Sequence, residues 1–154
     1  MNHTQFWGSE LEGRQIWRGS IPDRIGKTLF SLTELEEPEE KDIRINLAFA
    51  KKLAQVRIKF GRAMNVTSAC RSLTYNIKIG GHERSLHVYK DMFHRIPGCA
   101  AADISIHKWS MIDVSGLVFL AGGHGLSVGI NEEKHFIHID YRELTGLEQK
   151  LFTY

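Results

Sequence analysis

The sequence predicts an α+β domain in which helices pack against a small, mainly antiparallel sheet. Three observations carry that expectation. Ile43, Leu47, Ala50, Leu53 or Ala54, and Val56 recur mostly at three- and four-residue intervals, which is the signature of one buried helical stripe. Met111, Val114, Leu117, Val118 and Ala121 describe a second helical face. Between and after these segments, MNVTSA, AADISI, LSVGI and FIHIDY are short, largely apolar runs separated by polar or glycine-rich turns. The predicted order is helix, strand, long loop, strand, helix, strand, strand, which fits helices set against one sheet.

Residues 1–28 show no period. They carry Trp7, Trp17, scattered charges, Gly13, Gly19, Gly26 and Pro22, and read as an irregular segment packed on a domain that spans 29–154. LFSLTELEEPEEKD follows as a solvated acidic connection. The first long helix is expected from Asp42 to about Lys59, with Asp42 as its cap and Gly61 at its end. Residues 64–69 form a strand, and the polar stretch from Arg71 to about Ala102 forms a long loop with turns at Gly80-Gly81 and Pro97-Gly98. Ser110 opens the second helix with Asp113 at the capping-box spacing, and Gly122-Gly123 stops it. Strands over Leu126–Ile130 and Phe136–Tyr141 flank a turn at residues 131–134. No internal repeat is present.

A chain of 154 residues with 42% hydrophobic content suits one domain with a real core. The net charge of +2 only weakly favours an acidic polymer. No basic run or basic amphipathic helix is found, so no nucleic-acid partner is expected. No apolar run is long enough for stable membrane insertion, and the N-terminus has no signal-peptide core. The chain is therefore expected to be cytoplasmic and monomeric unless another system releases it. Cys70 and Cys99 are too few for a disulfide framework or a thiolate zinc finger; outside the cell the two thiols are free to pair.

Histidine is the unusual component. Of eight, seven lie between positions 82 and 138. In FIHIDY, strand alternation puts Phe136, His138 and Asp140 on one face, and Ile137, Ile139 and Tyr141 on the other. Two polar groups between apolar flanks are costly to bury unless they bind a metal or each other. Asp140 is placed to orient the second ring nitrogen of His138, as a carboxylate often does for a metal-binding histidine. Asp103 is the lone charge in GCAAADISI, which points to a ligand, a cap or a salt-bridge partner. His87, in ERSLHVY, is equally readable as a surface histidine. Two histidines and one carboxylate would make a catalytic zinc set with one open position.

The ordered motifs VTSACRS, Asn76, Gly80-Gly81, SLH, AADI and FIHID resemble the zinc D-Ala-D-Ala carboxypeptidase and peptidoglycan endopeptidase family, whose fold is shared with the Hedgehog domain. LFSLTEL is similar to that family's opening segment, and the resemblance covers roughly residues 29–142. It implies His87, Asp103 and His138 as zinc ligands and Arg71 as a substrate-cleft cation. Ser85 is similar to a serine lining that family's site, or is a plain loop hydroxyl. Asn76 and Tyr75 shape the loop beneath Arg71 or make ordinary turn hydrogen bonds. His124, in GGHGLSVG, lines the cleft, helps hold an oxyanion, or is incidental to a glycine-rich turn. His82 and His107 read as solvated or packed.

Two departures from the family pattern matter. VYKDMFHRIPGCAAA makes the His87–Asp103 spacing long, suggests a lid or specificity loop, and supplies His94 and Asp91 as rival ligands. Relatives place an acidic general base shortly before the last histidine; here the position three residues before His138 is His135, with Glu133 and Glu132 as alternatives. Regular alternation would aim His135 away from His138. The resemblance implies a zinc-dependent hydrolase of the peptidoglycan stem peptide, cutting an L-Ala–D-Glu or D-Ala-containing bond, in the manner of a phage-type lytic enzyme acting at the cell wall. The alternative is a non-catalytic, metal-stabilised structural or interaction domain.

Overall fold

The structure is a computed structural model and describes residues 11–12, 15–89 and 96–154. Trp7, Gly13 and the rival ligands Asp91 and His94 lie outside these residues. In place of a wholly irregular opening, the chain forms short strands. β1 (Leu11–Glu12) pairs antiparallel with β2 (Ile16–Trp17), and β3 (Ile21–Pro22) pairs antiparallel with β4 (Thr28–Phe30). Trp17, Ile21 and Phe30 are buried in the main core, so this segment is part of the domain's packing.

α1 (Leu32–Leu35) is a single turn started by a capping box: the Glu34 carboxylate accepts from the Ser31 backbone N–H while Ser31 caps the first turn. β5 (Ile45–Asn46) joins β2 and leads directly into α2 (Leu47–Phe60). The expected start at Asp42 is therefore corrected. Asn46 is the cap, its side chain accepting from the Phe49 N–H, while Asp42 is taken up by Arg18 and Arg44. Gly61 ends α2 at φ 69°, a conformation open to glycine without a Cβ clash.

β6 (Asn65–Ser68) precedes a six-residue helix, α3 (Leu73–Lys78), inside what sequence alone reads as loop. Ser72 caps it by accepting from Tyr75 N–H. β7 (Ala101–Ser105) is followed by α4 (Met111–Gly123), where Ser110 accepts from Asp113 N–H. The glycine pair lies within α4, whose last turn is closed by His124. β8 (Ser127–Asn131), β9 (Phe136–Asp140), a 3₁₀ turn over Arg142–Thr145 and β10 (Leu151–Thr153) complete the chain.

The main sheet has the order β10-β8-β9-β7-β6, antiparallel except for the parallel β10–β8 edge. The domain is thus α+β, as expected. One face of the sheet presents Ala102, Ile104, Val128, Ile137 and Ile139 to a core shared with Phe49, Leu53 and Val56 of α2 and with Leu117 and Ala121 of α4. Alternation leaves Asp103, Phe136, His138 and Asp140 on the opposite face, which is where the polar residues gather. Among the described residues no helix is long and apolar enough to cross a membrane.

Candidate metal centre

Strand register builds the centre. Asp103 on β7 stands directly across from His138 on β9, and Gly129 on β8 is the neighbour of His138 on its other side. A bulge in β6 sets the third strand: Val66 pairs with Ile104, but Ser68 rather than Thr67 pairs with Asp103. The extra residue brings Ser68 beside the site. The turn that follows supplies Ala69, whose carbonyl lies 2.8 Å from His87 Nδ1.

That contact fixes the His87 tautomer. Nδ1–H donates to a carbonyl, so Nε2 carries the lone pair, and it faces Asp103 Oδ1 at 3.2 Å. His138 repeats the logic with the nitrogens exchanged. Its Nε2 lies 2.9 Å from Asp140 Oδ2, and its Nδ1 lies 2.9 Å from the same Asp103 Oδ1. Three donor atoms from His87, Asp103 and His138 fall within 4.8 Å of one another. Two imidazoles and a carboxylate, each histidine anchored through its other nitrogen, form a donor set that fits zinc.

The electrostatics agree with a site that exchanges protons for a cation. Burial would lower the pKa of His138, but its hydrogen bonds to Asp103 and Asp140 outweigh that and raise it to about 9. Burial would raise the pKa of Asp103, yet His87 and His138 hold it well below the usual carboxylate range. Burial pushes His87 down. A metal held by His87, Asp103 and His138 would compete with the proton that the Asp103 and Asp140 carboxylates favour on His138.

Arg71 closes the other side of Asp103. Its Nη2 donates to Asp103 Oδ2 at 3.1 Å, its Nε to Ser68 Oγ at 2.9 Å, and its Nη1 to Asn76 Oδ1 at 3.2 Å. Asn76 is fully buried and gives its own amide N–H to the His82 carbonyl, so it fixes the guanidinium from below. Gly81 leaves the space Asn76 needs, since a Cβ there would stand 2.2 Å from its Oδ1. A guanidinium has five N–H donors, so one on each terminal nitrogen remains for a ligand. On the far side, Asp140 accepts from Arg142 through both oxygens, at 3.0 and 2.7 Å.

Arg71, His87, Asp103, His138, Asp140 and Arg142 line a cavity of about 890 Å³, a volume suited to a substrate-sized molecule. Ser85, Lys134, Phe136, Phe152 and Tyr154 also line it. Ser85 Oγ accepts from His87 N–H at 3.3 Å. Burial, with the carboxylates of Asp103 and Asp140, pushes the Tyr154 hydroxyl up to about 12.

Of the residues expected from sequence, Arg71, Asn76, Ser85, His87, Asp103, His138 and Asp140 are thus gathered at one place. His135, Glu133 and Glu132 are not. All three are exposed on the β8–β9 turn and none lines the cavity. His135 takes the left-handed conformation at φ 53°, and its ring rests 5.7 Å from that of His107. His124 is also elsewhere: its Nδ1 binds the Leu120 carbonyl at the end of α4, and its own carbonyl accepts from Lys52. Sequence reasoning missed Ser68, Arg142, Phe152 and Tyr154. Gly129 in mid-strand was the available signal for Phe152, because such a glycine often marks a close approach. A Cβ on Gly129 would lie 2.4 Å from the Phe152 ring.

The family model described as Peptidase M15 matches residues 28–140. No curated protein and no solved structure gives a significant match.

Proposed function

The chain belongs to the peptidase M15 family, and we propose that it is a zinc metallopeptidase that cuts peptide bonds in the peptidoglycan stem peptide. The observation that carries the reading is the aim of His87 Nε2 and His138 Nδ1 at one oxygen of Asp103, inside a substrate-sized cavity. His87, Asp103 and His138 would hold the zinc, which supplies Lewis acidity toward a carbonyl and lowers the pKa of water.

The chain's own groups supply the rest. Asp140 holds the His138 ring, and the Ala69 carbonyl holds that of His87, so neither nitrogen must be reoriented. Arg71, already fixed by Asp103, Ser68 and Asn76, turns its remaining N–H groups to a substrate carboxylate or to the oxygen that gains charge during amide cleavage. Lys134 and Arg142 add positive charge to the lining, which matches a stem peptide rich in carboxylates. Phe136, Phe152 and Tyr154 give the cavity an apolar side that limits water. An L-Ala–D-Glu or D-Ala-containing bond is the expected target, cut at the cell wall in the manner of a phage-type lytic enzyme.

The test is incubation of the purified chain with defined muropeptides, with and without a chelator, followed by mass analysis of the products. Cleavage at one bond that stops with chelator and returns with zinc supports the reading and identifies the bond. Zinc binding without any product would instead make the centre a structural one.

A further inference from the structure

Away from the cavity lining, the two cysteines of the chain meet inside the core. Their Sγ atoms are 3.1 Å apart, and the residues are 1% and 0% exposed. Each is held by its backbone to a different part of the fold. Cys70 N–H donates to the Leu35 carbonyl at the end of α1. Cys99 N–H donates to the Arg44 carbonyl and its own carbonyl accepts from Asn46 N–H, at the start of α2. The sulfurs thus face each other from two independently anchored positions.

The stretch between them carries one of the three ligand residues of the metal centre and the arginine beside it. It includes Arg71, Asn76, Ser85 and His87, while Asp103 lies just beyond Cys99 on β7. Among the described residues this stretch is tied to itself by Arg71 N–H to the His87 carbonyl and Tyr89 N–H to the Arg71 carbonyl, and to the approach of β7 by Ala100 N–H to the Leu86 carbonyl. These are hydrogen bonds of modest net strength, each exchangeable with water when the stretch opens. A covalent bond between its ends would not exchange.

We propose that Cys70 and Cys99 are a disulfide site, and that the bond clamps the His87 and Arg71 segment against the strand that carries Asp103. The oxidant is a small-molecule or protein disulfide. One cysteine thiolate attacks it to give a mixed disulfide and releases one thiol; the second cysteine then displaces the other thiol. Two S–H bonds are lost, one S–S bond forms within the chain, and the oxidant leaves as two thiols with the protons balanced. Burial of the pair, which also pushes the Cys99 thiol well above its ordinary pKa, makes both sulfurs poor partners for exchange once the fold is complete. The bond therefore forms while the chain folds and afterwards resists reduction. Formation of the bond does not depend on the peptidase reading, whereas the clamp on the segment rests on the zinc site of that reading; the thiol titration tests the first and the zinc release the second.

The experiment compares two preparations of the full wild-type chain, reduced and unfolded, then refolded with zinc. One is refolded in a mixture of reduced and oxidised glutathione, the other in excess dithiothreitol. The glutathione product is expected to be monomeric, about 2 Da lighter by intact mass, and free of titratable thiol in denaturant. Two titratable thiols in that product would overturn the proposal. The oxidised chain is also expected to lose zinc to excess chelator several-fold more slowly than the reduced chain. Equal rates of zinc loss would overturn the clamp even if the bond forms. No substitution is needed, so a folding defect in a variant does not confuse the result.

Discussion

At the scale of single residues, the partner of each metal-facing side chain matters as much as the side chain itself. Asp140 accepts from the far nitrogen of His138 and from both the backbone N–H and the guanidinium of Arg142. Its replacement by alanine leaves the three donor atoms in place but frees the ring to rotate. Zinc affinity should fall by about 10–100-fold, read by competition with a chelator of known affinity; an unchanged affinity would remove the orienting role. Arg71→Ala acts differently. Asp103 keeps both histidines, so zinc content should persist, while turnover of a muropeptide should drop on the order of 100-fold because a prepositioned donor is lost. Loss of zinc in that variant would mark Arg71 as structural instead. His135 gives the contrasting case. Its ring lies outside the cavity and its backbone sits at φ 53°, where a Cβ is strained. His135→Gly should be more stable than His135→Ala by about 1 kcal/mol, with turnover unchanged in both. A collapse of turnover would restore this histidine as the base.

At the scale of elements, the centre depends on strands placed in register more than on any loop. β10 is the clearest example. Phe152 sits opposite Gly129 in the parallel edge pairing, its ring 6.2 Å from that of His138 and 5.6 Å from that of Tyr154. Arg142 lies 5.0 Å over the same ring. Gly129→Ala puts a methyl group where the ring is, so β10 must move away, at a cost of about 1–3 kcal/mol. The KM for a muropeptide should rise more than kcat falls, and the double change Gly129→Ala with Phe152→Ala should recover part of the stability in a thermal melt. Additive losses would show that the two residues do not share the space. The same element explains what could be read from the sequence. Alternation in FIHID and the single charge in GCAAADISI are local signals, and they located His138, Asp140 and Asp103. The pairing of Asp103 with His138 is non-local, so only the folded sheet reveals it. β10 has three residues and lies beyond the last clear strand pattern, too short to announce itself. The start of α2 was misplaced at Asp42, whose residue type suits a cap, because its pairing with Arg18 and Arg44 from outside the helix is non-local; Asn46 caps the helix instead.

At the scale of the whole molecule, the decisive question is how much of the fold rests on the ion. The core is built from Phe49, Leu53, Val56, Leu117, Ile104, Ile137, Ile139 and their neighbours, on the face of the sheet turned away from the metal centre. The donor residues are also not stranded without zinc. Asp103 is bonded to His138 and Arg71, His138 to Asp140, and His87 to the Ala69 carbonyl, so no ligand of the cluster is a buried charge lacking a partner. These two features separate the chain from small domains that exist only around their metal. The apo form should remain folded, with a cooperative melt. Zinc at about 100 times its Kd should add about 2.7 kcal/mol, which for a chain of this size raises Tm by about 8 °C. Differential scanning fluorimetry across a chelator and zinc series measures both. A shift of that order, together with intact secondary structure in the apo form, is what a site reserved for chemistry requires, because its ion must be open to a substrate rather than enclosed by the fold. Unfolding on removal of zinc would place the ion among the supports of the core, and the structural role would then account for the geometry of His87, Asp103 and His138 without any reaction.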